Sequence, residues 1–467
     1  MKLPPGPKFV RRRILTDGLQ AVKLWPLATL LPLALGAGAS WAVPTRGDLR
    51  LLAILAAFPD RPLDHDRQSF MALMDRFVAY YREVSAGRLS IHPTIGSPAV
   101  TLPAARATYV QRPDALARDA VAAFGAAAAS DPTEAEALRS ADALVVFFAG
   151  PGRESHVEGG DPDDPWSNYT VISPPPGAAR LGEACVIAEE EVPPFGNFGV
   201  LCHEFGHLLG LPELYAPGGL PHEGIGVWGL MGQGTWLRLG ERPPHPCAWS
   251  KLRLGWVDVE TIERATRGVR LPAVEEVPRV VKIPASRGRP EEYYLVENRE
   301  RIGTDSGLPG EGLLVWHVDE TVTGFRTSQS VAAHKLLHLV EADGRNDLDR
   351  GHGAGGNRGD RTDPFQGPPP WRRRASAPVV LLGALLAAGA VLRGVRARAF
   401  PAVLGPLGAA ALALAGAAWL RRGPSCGPGT PGMAPYDGSP VRAAIRNISP
   451  PGRVMSFDVW IAPSDEH

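Results

Sequence analysis

Cysteine is scarce in this chain. Only Cys185, Cys202, Cys247 and Cys426 occur among 467 residues, too few for a disulfide scaffold. If all four are oxidised, three pairings remain open. An excess of either charge is also missing, since 49 Lys and Arg balance 49 Asp and Glu. Without a global basic field, nucleic acid is not an expected partner. Charged residues run somewhat below average, while Gly, Pro and Ala are abundant.

Charge disappears altogether from two long runs, "APVVLLGALLAAGAVL" (377–392) and "AFPAVLGPLGAAALALAGAAWL" (399–420). The second is long enough to span a bilayer and the first is marginal. Arginines flank both, from Arg372 to Arg374, then at Arg393, Arg396 and Arg398, then at Arg421 and Arg422. Their balance leaves orientation open. A transmembrane hairpin over 375–422, associating with a membrane through 377–420, and a low-complexity insertion both fit.

The N-terminus has the pattern of an export signal. Lys8, Arg11, Arg12, Arg13 and Lys23 precede an apolar run at 24–39, and Ser40-Trp41-Ala42 offers small residues for cleavage. A signal peptide over 1–42 predicts a protein secreted or anchored on the outer face of the cell membrane. An uncleaved anchor is the alternative.

The chain beyond residue 42 is long enough for a sizeable core. "LRLLAILAAF" (49–58), "ADALVVFFAG" (141–150) and "ACVIAEEE" (184–191) read as strands. Residues 66–87 and 112–129 have helical spacing. Their alternation predicts an α/β-layered region over 43–260, within an α+β chain. Beyond it, short β-like runs broken by Gly, Pro and Asp predict a β-rich region over 261–370 plus 426–463.

The chemistry concentrates in "CHEFGHLLGLPELY" (202–215). On a helix over 196–209, Phe198, Leu201, Cys202, Phe205, Leu208 and Leu209 share one face, while His203 and His207 lie opposite, one turn apart. Two imidazoles at i and i+4 can hold one tetrahedral zinc, and Glu204 between them is angled to act as base on a zinc-bound water. Gly210 permits a left-handed turn, after which Glu213 can supply the third ligand. Another acid or His222 is the fallback. Tyr215 and His222 are also near enough in sequence to stabilise an oxyanion, although structural roles suit both. Cys202 belongs to the apolar face.

Together with "GIGVWGLMGQGTW", "AWSKLRLGW", "YYLVENRE" and "LPGEGLLVWHVDE", this motif resembles the M6 zinc metallopeptidases, the immune inhibitor A group. The resemblance implies a metzincin-like domain in which His203 and His207 bind zinc and Glu204 is catalytic. It also implies that Met231 forms a turn beneath the metal. The chain departs from the family in one place, carrying Glu213 where Asp is usual. The implied function is exported zinc endopeptidase, with proteins or peptides as substrates. A cell-surface binding module without catalysis, or a membrane-associated structural protein retaining the fold, is the rival. The intact Glu204 favours catalysis.

Weaker signals remain. Asp343, Asn346, Asp347 and Asp349 cluster oxygen ligands suited to calcium, or equally form turns. His317 lies in a strand-like run and reads as a satisfied core residue. "NYT" (168–170) is a glycosylation sequon.

Overall fold

A computed structural model describes residues 43–155, 161–174, 178, 180–191, 196–218, 220–285, 288–351, 354–367, 435–436 and 443–462. The expected leader at 1–42 and the apolar runs at 377–392 and 399–420 lie outside these residues. Among those described, no helix is long and apolar enough to cross a membrane.

In chain order the first part runs β1 (Gly47–Ala57), α1 (Arg67–Val84), β2 (Leu89–Ile95), β3 (Val100–Thr101), α2 (Pro113–Ala128) and α3 (Pro132–Ser140). It continues through β4 (Ala143–Pro151), β5 (Asn168–Val171), β6 (Glu183–Glu190), α4 (Asn197–Leu208) and α5 (Ala248–Arg253). Its sheet has the order β2-β1-β4-β6-β5, with β3 also paired to β1. All pairs are parallel except β5 with β6.

The apolar runs become strands buried on both faces. In β1, Leu49, Leu51, Ala53 and Leu55 enter one core, while Leu52, Ile54 and Ala56 enter another. Ala143, Val145 and Phe147 of β4 alternate in the same way with Leu144, Val146 and Phe148. This period of two explains runs without polar alternation. Helices α1 and α4 cover the first face, and α2 covers the second. Pro93 is tolerated in β2 because that strand is an edge.

The second part supplies β7 (Asp258–Thr261), β8 (Thr266–Pro272), β9 (Arg279–Pro284), β10 (Glu292–Arg299), β11 (Gly312–Asp319), β12 (Leu337–Val340), β13 (Ala443–Arg446) and β14 (Val454–Ile461). They form two sheets, β12-β11-β10-β9-β7 and β13-β14-β8. Tyr293 and Leu295 of β10, with Leu314 and Trp316 of β11, join the core that also holds α1 and α4. Their neighbours Tyr294, Val296, Leu313 and Val315 face the third sheet instead. Side chains from both sides of residue 260 therefore meet in one apolar cluster.

α3 and β5 are among the elements that were not expected, with β3 and α5. Asp131 accepts from Thr133 N and Glu134 N and so starts α3 as a separate helix after α2. The sequon stretch is strand β5.

Candidate metal centre

Helix α4 is held by its apolar side. Leu201, Cys202 and Phe205 are fully buried. The Phe205 ring packs 5.0 Å from both Phe77 and Tyr81 of α1, burial worth about 1.5–3 kcal/mol for such a side chain. Tyr81 also donates its hydroxyl to Cys202 O at 2.6 Å. Gly206 lies directly over Met231, where a Cβ would sit 2.6 Å from the sulfur. The chain passes beneath the helix at Met231 because that position has no side chain.

The opposite side presents His203 and His207, their rings 4.7 Å apart and almost perpendicular. His203 Nδ1 lies 3.0 Å from Leu230 O and 2.9 Å from Thr235 Oγ1, and His207 Nδ1 lies 2.8 Å from Leu211 O. A carbonyl only accepts, so each Nδ1 carries a proton and Nε2 is left as the atom that can give a lone pair to a metal. Gly210, at φ 90°, turns the chain back after the helix. Glu213 then arrives with Oε2 3.3 Å from His203 Nε2 and Oε1 3.2 Å from His207 Nε2.

This donor set fits a zinc ion. Three electron-pair donors converge, their ligand atoms within 4.8 Å of one another. Glu213 Oε2 is buried and makes no hydrogen bond. Such a convergence is repulsive unless something positive sits within it. Burial alone would lower His203, but the Glu213 carboxylate outweighs burial and raises it to about 9. Burial would likewise raise Glu213, yet the two imidazoles hold its carboxyl well below the usual range. Both shifts mark a place where positive charge is stabilised. Tyr215, its phenol pushed up by burial and by Glu213, donates to Glu213 Oε1 at 2.9 Å. That contact makes it a support for Glu213.

Glu204 stands beside the three. Its Oε2 accepts from Tyr169 N of β5 at 2.6 Å. The carboxylate lines a cleft of about 310 Å³ together with His203, His207 and Glu213. Trp166, Tyr169, Trp236, Phe325 and Arg326 complete the walls. Trp166 is 45% exposed and Phe325 38% exposed, so the cleft has an aromatic rim open to solvent.

Residues 182–257 match the catalytic domain of immune inhibitor A peptidase M6. The resemblance read from the motifs stands. Over 105 residues the chain is 33% identical to Immune inhibitor A of Bacillus thuringiensis subsp. alesti. The likeness covers 20% of this chain and 15% of that protein, a small part of the relative's length. The M6-like segment contains β6, α4, Glu213, Met231 and Thr235. It leaves out β5 and Phe325, which also wall the cleft.

The other expected residues separate from this centre. His222 is buried, with Nδ1 accepting from Gly224 N at 3.4 Å, and it does not join the two histidines. His317 contacts Glu292 at 2.9 Å and stacks between Tyr294 and Tyr436, as a satisfied histidine should. Cys185, Cys202 and Cys247 are buried free thiols, while Cys426 lies outside the described residues.

The four candidate calcium ligands do not form one group. Asp343 converges with Glu341 and Asp363 in one group and with Asp347 and Asp360 in another. Asn346 is instead the left-handed residue before a short 3₁₀ turn. Asp349 pairs with Lys335 and lies 3.8 Å from His338. Asp343 accepts from Arg345 N, and Asp360 from Thr362 N, the contacts of turn formers. Beyond the convergence itself, these contacts give calcium no support.

Sequence reasoning missed Thr235, Tyr169 and Phe325. Thr235 had a signal, since it follows the expected methionine turn closely. Tyr169 and Phe325 act through contacts that no spacing announces.

Proposed function

We propose that the chain is a zinc-dependent endopeptidase acting on proteins or peptides. The observation that carries this reading is the convergence of two Nε2 lone pairs and a carboxylate, with Glu204 beside them. Zinc held by His203, His207 and Glu213 would supply Lewis acidity, acidifying a water and polarising the scissile carbonyl. Glu204 takes the proton from the attacking water and passes it to the leaving amine. Tyr169 N, anchoring Oε2, keeps that carboxylate turned to the cleft. Thr235 and the carbonyls of Leu230 and Leu211 hold the imidazoles in the ligating tautomer.

The cleft favours polymeric substrates. Strand β5 ends its sheet, and among the described residues its outer edge pairs with no other strand. An extended peptide laid along that edge would gain main-chain hydrogen bonds while Trp166 and Phe325 pack its side chains. With the leader read at 1–42, the enzyme would work outside the cytoplasm.

The test uses the full chain and Glu204→Ala, with zinc measured by elemental mass spectrometry and cleavage followed on casein. The wild type should hold about one zinc per chain and cleave. The variant should keep the zinc and lose cleavage. A wild type without zinc sinks the reading, and equal cleavage by the variant removes Glu204 as the base. Tight binding of proteins by the wild type without cleavage would favour the binding-module reading.

A further inference from the structure

Glu213 is held from far along the chain. Its backbone N–H donates to Phe325 O at 2.9 Å. Its carbonyl accepts from Ser328 Oγ at 2.8 Å, across 115 residues. Both main-chain polar groups of the third ligand are thus engaged by the connection between β11 and β12. The same connection lays the Phe325 ring 4.8 Å from the His207 ring and 5.6 Å from Tyr169.

This connection is tied at both ends. Asp319 N donates to Leu336 O, and Leu336 N donates to Ser328 O, each at 2.9 Å. Thr321 N donates to the Asp319 carboxylate at 2.9 Å. Ser328 is 1% exposed, so its hydroxyl has no competition from bulk water. The geometry around Glu213 matters more for a glutamate than for the aspartate that the resemblance leads one to expect. A longer side chain loses more rotamer freedom when it ligates, and a fixed backbone origin limits that loss.

We infer that segment 320–336 is a strap that completes the metal centre. It positions Glu213 as the third ligand through Ser328 and Phe325 O, and it roofs His207 with the Phe325 ring. The M6-like stretch at 182–257 would then carry the ligands but not the means of placing the third. This inference rests on the zinc peptidase reading. Ser328 is a positioning residue and touches no substrate.

The experiment measures zinc affinity of the full chain by competition with a chromophoric chelator, for wild type, Ser328→Ala, Ser328→Thr, Phe325→Leu and Val331→Ala. Ser328→Ala should weaken zinc binding about tenfold, the scale for losing a partner that orients a ligand. Ser328→Thr keeps the hydroxyl and should restore the affinity. Val331→Ala, on the exposed part of the strap, should match wild type. Melting temperatures of the zinc-free proteins should agree across the set, since a merely structural serine would move those and leave the affinity alone. If Ser328→Ala lowers the zinc-free melting temperature as well, Phe325→Leu decides, because it keeps apolar bulk and removes the ring over His207. Wild-type zinc affinity in Ser328→Ala, or in Phe325→Leu where that variant decides, overturns the strap while leaving the peptidase reading intact. A wild type that binds no zinc defeats that reading, and the strap with it.

Discussion

Helix α4 and segment 320–336 approach the same site from two parts of the chain. α4 carries His203, Glu204 and His207 on one face, placed by the helical repeat and anchored by Phe205 and Cys202 behind them. The strap carries no ligand and has no repeat, yet it engages both backbone groups of Glu213 and covers His207. The difference separates two tasks. In the proposed centre, which atoms would meet the metal is decided locally, whereas where the third of them would sit is decided across the fold.

The strongest way to break that division is His207→Ala. Zinc binding should vanish and cleavage with it, because two ligands do not hold a tetrahedral zinc tightly. Retained stoichiometric zinc in the variant would show that the local triad is not the site.

Next in size is Arg299→Leu. Arg299 is fully buried, bonds both oxygens of Asp305 at 2.7 Å, and donates to Trp228 O at 3.3 Å, just before the Met231 turn. Removing the guanidinium leaves Asp305 and Glu297 buried with one cation fewer. Chemical denaturation should show a loss of about 3–5 kcal/mol. No loss would mean that β10 does not support the turn.

Thr235→Val sharpens the comparison within the local half. Zinc should bind about tenfold more weakly, as measured by chelator competition, with little change in the zinc-free melting temperature. Tyr81→Phe has the smallest expected effect. It removes the hydroxyl that meets Cys202 O and should cost about 1 kcal/mol in denaturation with zinc affinity unchanged.

The same division explains what was legible in the sequence. β1 and β4 were readable because long apolar runs bounded by turn residues admit few other structures. α4 was readable through its spacing, and Glu213 through the glycine turn that precedes it. β5 was not, since four residues at a sheet edge leave no pattern. Its importance comes from one backbone N–H that meets Glu204. The strap was invisible because its contacts link positions more than a hundred residues apart. The acidic loop was half readable. Composition located Asp343 and Asp347, but the pairing of Asp349 with Lys335 depends on where β12 begins.

Zinc-edge X-ray absorption on the wild-type chain tests the central claim most directly. The spectrum should show two imidazole nitrogens at about 2.0–2.1 Å and light oxygen scatterers near that distance, with no sulfur. Glu213→Ala leaves two donors, as His207→Ala does, and should lose stoichiometric zinc and this spectrum with it. A sulfur shell at about 2.3 Å, or a wild-type spectrum without imidazole scattering, would contradict a centre built from His203, His207 and Glu213.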